Sequence, residues 1–154
     1  MNNAPIIKLF EDNELNISNL YSLYAQKIPG KHAFWDKISK EEIAHAVEIG
    51  SKMNYAENII ENKFSRGIIK YIMDFVLKEI EKTQQSKISH KEALQTALRI
   101  ERSMLEKKCF EMFTPTHEKV QAVFNKLNKD SERHVALLLS EIEKNGFDLK
   151  ESKK

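Results

Sequence analysis

One cysteine in 154 residues, Cys109, leaves no partner for a disulfide within the chain and no set of thiolates for a zinc or iron site. A reducing interior suits such a chain, and Cys109 itself reads as a small buried hydrophobe. Four glycines and three prolines are too few for a fold rich in turns, and no hairpin signal or alternating strand accompanies them. No apolar run approaches the roughly 20 residues needed to span a bilayer. Glu11, Asp12 and Glu14 interrupt any apolar run near the start, so residues 1–30 carry no signal-peptide pattern. Charge of one sign is also missing. The 25 basic and 23 acidic residues are interleaved and leave a net +2, with no basic block of the kind that grips nucleic acid. Lys150, Lys153 and Lys154 read as a frayed terminus. The expectation is a soluble, cytoplasmic protein without a nucleic-acid or membrane partner.

What the chain does have is helix-forming material, with Glu, Lys, Leu, Ile and Ala dominating. Its length fits one domain, residues 1–154, with a proper core. Apolar residues recur at three and four, which predicts helices at about 6–27, 31–60, 66–84, 89–113 and 115–144. Pro5 suits the opening turn of the first, and Pro29-Gly30 closes it. Trp35, Ile38, Ala46, Ile49, Met53, Ala56 and Ile60 share one face of the second. Ser39-Lys40-Glu41-Glu42 also reads as a capping box, but Phe34, Trp35 and Ile38 continue the same stripe and favour the longer helix. Ser89-His90-Lys91-Glu92 is a capping box that starts the fourth. Thr114-Pro115 reads as a break and a new helix start, and Asn145-Gly146 as the last stop.

Polar residues interrupt four of these apolar faces. Glu14 lies within Phe10, Ile17, Tyr21 and Tyr24. Glu42 and His45, three apart on one helix, point about 60° from each other around the axis and can hold one side of a metal ion. Glu101 lies between Ala97 and Leu105, and His134 follows Phe124, Leu127 and Ser131. The order is Glu, Glu-x-x-His, Glu, then a helix bearing His. A buried carboxylate on an apolar face demands a partner. Carboxylates with imidazoles suit iron and manganese better than soft-ligand metals. A Glu-x-x-His alone is common by chance, and its weight comes from the other carboxylates at helical positions. His32, His90 and His117 fall at helix starts and read as structural.

These residues give the chain its resemblance to the rubrerythrin-like branch of the ferritin-like superfamily. Glu14 with Tyr21 resembles that family's first helix, and Phe34-Trp35 leading to Glu41-Glu42-Ile43-Ala44-His45 resembles its second. Ile88-Ser89-His90-Lys91-Glu92-Ala93-Leu94 leading to Ile100-Glu101 resembles its third, and Asp130-Ser131-Glu132-Arg133-His134 its fourth. The resemblance implies an all-α, ferritin-like four-helix bundle, with an additional helix in the long connection between helices 2 and 3. It implies a dinuclear centre of two iron ions, or manganese, held by Glu14, Glu42, His45, Glu101 and His134, and an oxidoreductase that acts on peroxide or oxygen. Tyr21 would donate a hydrogen bond to one of the ligands. Electrons would come from an external donor protein, since the chain has no Cys-x-x-Cys, and by analogy the protein would form a homodimer.

The departure is Ser131, where the family has Glu three residues before the last His. Asp130 lies about 40° from His134 around the helix and is the candidate substitute ligand, while Glu132 lies about 160° away, toward solvent. The site would then hold two metals in a looser geometry, one metal, or none. Iron buffering without turnover, and a metal-free helical interaction module, stand as alternatives.

Overall fold

The structure is a computed structural model that describes residues 5–61, 65–106, 113–115 and 117–147. Among these the chain is helical, with α1 at Ile6–Lys27, α2 at His32–Gly50, α3 at Ser65–Gln85, α4 at His90–Glu106 and α5 at Glu118–Lys144. α1 packs along α2 and α3, and α4 packs against α5. One apolar core draws on all five helices and centres on Phe10, Leu20, Tyr21, Tyr24, Trp35, Ile49, Ile69, Leu94 and Leu127. Among the described residues no helix is long and apolar enough to cross a membrane.

The ends of the helices follow from local chemistry. Pro5 precedes α1, and Gly30, at φ 76°, turns the chain into α2, a conformation that side chains resist. The Ser89 hydroxyl accepts from the Glu92 N–H at 3.1 Å, and the Glu92 carboxylate accepts from the Ser89 N–H at 3.2 Å, a complete capping box for α4. His117 caps α5 through Nδ1, which accepts from the Lys119 N–H at 3.2 Å. At the other end of α5, Gly146 takes φ 69°, and the Phe147 N–H closes back on the Ile142 carbonyl at 3.1 Å. The alternative start of α2 at Ser39 does not occur. The Ser39 hydroxyl donates across to the Ser18 carbonyl of α1 at 2.9 Å, and Ser39 sits in mid-helix.

Three predicted boundaries are corrected. α2 does not reach residue 60 but stops at Gly50 and passes into a 3-10 turn at Met53–Asn58. Gly50 is a poor helix former, and the Ser51 hydroxyl takes the Glu48 carbonyl at 2.6 Å. The Lys52 N–H then bonds Ile49 three residues back, which tightens the chain out of the α-helix. The expectation of no strands also fails in one place. Ile59–Glu61, which we call β1, pairs antiparallel with Phe113–Pro115, or β2. β-branched and aromatic residues favour this short ladder, and Pro115 is tolerated because each strand has an open edge. The last helix therefore starts at Glu118 and not at residue 115, and residue 113 belongs to a strand and not to the fourth helix. Cys109 and Met112 lie outside the described residues, as do residues 150–154.

Candidate metal centre

The amphipathic period of α1, α2, α4 and α5 turns ligand-type side chains of each helix into the core, two of them from α2, and the five meet. Glu14 comes from α1, Glu42 and His45 from α2, Glu101 from α4 and His134 from α5, and all five are buried. Two groups of ligand atoms converge, Glu14 with Glu42 and His45, and Glu42 with Glu101 and His134, each within 4.8 Å. Glu42 belongs to both. Its Oε1 lies 3.3 Å from Nδ1 of His45 and 3.3 Å from Nδ1 of His134. Glu14 Oε1 is 3.4 Å from the His45 Nδ1, and Glu101 Oε2 is 3.6 Å from the His134 Nδ1. The two imidazole rings lie 5.7 Å apart, centre to centre.

The far nitrogens of the two rings are held from outside. His45 Nε2 bonds Asp130 of α5 at 2.9 Å, and His134 Nε2 bonds Glu41 of α2 at 2.7 Å. Each of the two residues stands four positions before the histidine of its own helix and holds the histidine of the other. Arg133 joins them, 2.6 Å from Glu41 and 3.9 Å from Asp130. A metal-binding imidazole commonly has this arrangement, one nitrogen facing the ion and the other donating to a carboxylate that fixes the ring. His134 Nδ1 makes no hydrogen bond of good geometry, so a buried nitrogen faces the carboxylates with only ion-pair contacts.

Asp130 is thus not among the converging donors. The sequence placed it beside His134 on its own helix, but its carboxylate crosses to His45. Glu41 and Arg133 were missed as part of the site. The signal was available as an acid four residues before each inward His, but it becomes meaningful only across two helices. Tyr21 stands where it was expected, donating to Glu101 Oε2 at 2.9 Å. Ser131 is buried, and Glu132 is exposed. His32 and His90 open α2 and α4, and His117 precedes α5.

The cluster's electrostatics follow from its carboxylate excess. Burial works against a charged imidazole, yet Glu14 and Glu42 outweigh it and raise His45 to about 11. Burial is likewise outweighed at His134, where Glu101 and Glu42 raise it to about 11. Burial would raise Glu42, but His134 and His45 bring it down to about 2. Glu14 goes the other way, pushed up to about 8 by burial and then by repulsion from Glu42. Glu101 is also raised, by burial first and then by Glu42. Protons therefore take the place of cations when no metal is present. Two imidazoliums offset two carboxylates, and the carboxyl in excess, Glu14, stays protonated at neutral pH.

No family model, curated protein or solved structure matches this chain. What the geometry defines is a buried carboxylate–imidazole cluster between helices, with donors at a spacing that fits a metal ion.

Proposed function

We propose that the chain is a metal-binding protein of the ferritin-like, rubrerythrin-like kind, holding two iron or manganese ions among Glu14, Glu42, His45, Glu101 and His134. The observation that carries this reading is Glu42 Oε1 standing between two imidazoles, each backed by its own carboxylate on the far side. The arrangement has two matching halves, Glu14 with His45 and Glu101 with His134, and Glu42 is common to both. The charge supports the number two. Glu14, Glu42, Glu101, Glu41 and Asp130 against Arg133 leave four negative charges, the charge of two divalent ions. Hard oxygen donors with imidazole favour iron and manganese over thiophilic metals.

A metal pair of this kind, when bound, supplies one-electron redox changes and a Lewis-acidic face for a small oxygen ligand, and we propose an oxidoreductase acting on peroxide or oxygen. The chain's own contributions are positional. Glu42 would bridge, while Glu14 and Glu101 would each serve one ion. Asp130 and Glu41 keep Nε2 protonated and leave Nδ1 bare toward the ions, and Tyr21 orients Glu101. Ser131 supplies no carboxylate where Glu42 would have its counterpart. That substitution favours the second reading, a helical module whose site takes up little or no metal.

Metal content decides between the two. Protein expressed with added iron or manganese and analysed by mass spectrometry is expected to hold about two metal ions per chain. A folded protein that retains none would overturn the proposal. Asp130→Ala is expected to keep the fold and weaken metal affinity by about 10- to 100-fold, since it frees the far nitrogen of His45 without removing a ligand. Competition with a coloured chelator measures this, and unchanged affinity would remove Asp130 from the centre.

A further inference from the structure

The chain's only tryptophan, Trp35, is fully buried with Tyr21 and Tyr24. The Tyr21 and Trp35 rings lie 5.5 Å apart, and those of Tyr24 and Trp35 lie 4.8 Å apart. The three differ in what their polar hydrogens meet. The Tyr21 hydroxyl donates to Glu101 Oε2 at 2.9 Å. Trp35 Nε1–H donates to His90 Nδ1 at 3.1 Å. That bond fixes the proton of neutral His90 on Nε2, which donates to Glu141 Oε2 at 2.8 Å. Glu141 meets Asn145 at 3.1 Å and the half-buried Lys31 at 3.6 Å, at the end of the bundle. The Tyr24 hydroxyl has no hydrogen-bond partner among the described residues, and its polar neighbours Thr83 and Thr96 are hydroxyls, not bases.

Phenol and indole are the side chains that can give up one electron and pass it along. Losing an electron makes the O–H or N–H strongly acidic, so a usable station needs a base at its polar hydrogen. Tyr21 and Trp35 each have one, and Tyr24 does not. We propose that Tyr21 and Trp35 form a one-electron relay between Glu101 at the centre and the Glu141 end of the bundle, fed by an external one-electron donor. The inference rests on the metal-binding reading above, since an oxidised centre is the electron acceptor.

The steps balance. Tyr21 gives one electron to the oxidised centre and its phenolic proton to Glu101 Oε2. Trp35 then gives one electron to Tyr21, which takes its proton back from Glu101, while the indole proton passes to His90 Nδ1. The donor's electron restores Trp35, and His90 returns the proton. One electron crosses from donor to centre, the O–H and N–H bonds re-form, and no net proton moves.

The test uses the full-length, metal-free protein in a Tyr55→Phe, Tyr71→Phe background, which removes the tyrosines nearer the surface. A ruthenium tris-bipyridine sensitiser with persulfate is flashed, and radicals are followed by transient absorption and electron paramagnetic resonance. The flash drives the Tyr21–Trp35 step in reverse, so the expected result is a deprotonated tryptophanyl radical that decays as a tyrosyl radical rises. The tyrosyl signal should fall to background in Tyr21→Phe and in Trp35→Phe, and persist in Tyr24→Phe. His90→Phe, set among Phe34 and Phe147, should leave the Trp35 radical protonated, a spectral change that lost packing would not produce. This variant carries the test if Trp35→Phe does not fold. A tyrosyl yield indifferent to Trp35→Phe, a signal lost in Tyr24→Phe instead of Tyr21→Phe, or a deprotonated radical in His90→Phe would overturn the relay. The flash experiment needs no metal, so its failure leaves the metal reading untouched. A chain that takes up no metal overturns that reading whatever the flash gives.

Discussion

Metal-free protein is expected to melt at lower temperature as pH rises from about 6 to about 10, while the stabilisation added by metal grows with pH. The sign follows from three groups. His45 and His134 titrate near 11 in the folded chain against an ordinary value of 6.5. Between those values the folded state holds two protons that the unfolded chain has released. Their stabilisation is complete below 6.5 and is lost as pH climbs toward 11. Glu14, raised to about 8 from 4.5, acts in the same direction over its own window. Glu42 acts oppositely at the acid end. Lowered to about 2, it contributes fully above 4.5 and its contribution is lost as pH falls through 2.

The metal-free protein should therefore be most stable near pH 4.5, decline first through Glu14, and fall more steeply above about 6.5, where the two imidazoles join it. Metal must displace these same protons, so its affinity rises as the pH disfavours them, and by mass action the loaded protein gains what the empty one loses. Thermal melts with a chelator and with manganese across this range check both halves. Two parallel curves would count against protons and metal sharing one site.

Glu42→Ala is expected to have the largest effect of any single substitution at the centre. It removes the carboxylate common to both ligand groups, so metal content should fall from about two per chain to none. It also removes the anion between two buried imidazoliums, and breaking a buried pair of this kind costs about 3–5 kcal/mol. The loss in the metal-free chain should be greater at pH 6 than at pH 9, because at higher pH the imidazoles can shed their protons and avoid the unpaired charge. Glu42→Gln preserves volume, and separates the cavity left by alanine from the missing charge. Denaturant melts at the two pH values, with metal analysis of both variants, give the answer. Full metal content in Glu42→Ala would remove the bridge from the proposal.

Much of the site was legible because helical periodicity shows which positions share a face. Glu14, Tyr21, Glu42, His45, Glu101 and His134 all sit on apolar stripes, and all six are buried. The end of α2 was not legible for the same reason. Met53, Ala56 and Ile60 continue the period past Gly50, and a period does not report whether the backbone between its members stays helical. The turn is decided by Gly50 and the Ser51 hydroxyl, and then by a pairing with residues some 55 positions away that no local window contains. Asp130 shows a different limit. Its angle to His134 around α5 is a property of one helix, whereas its partner belongs to another. Glu41 was read through the capping box and through a resemblance, and its bond to His134 spans 93 positions.

The crossed bonds between α2 and α5 also specify the register of these helices. Glu41 meets His134 and His45 meets Asp130, so the two helices run antiparallel with the pairs one turn apart. A slip of one turn in one direction would set Glu41 against Asp130 and His45 against Lys126, acid facing acid and cation facing cation. A slip in the other direction would set Glu41 against buried Leu138 and His45 against His134. Apolar surfaces alone tolerate such shifts, because one leucine replaces another at little cost. Here each shifted alignment leaves a charge unpaired or facing its like, so the residues that would grip a metal also dictate which alignment of two helices the chain can adopt.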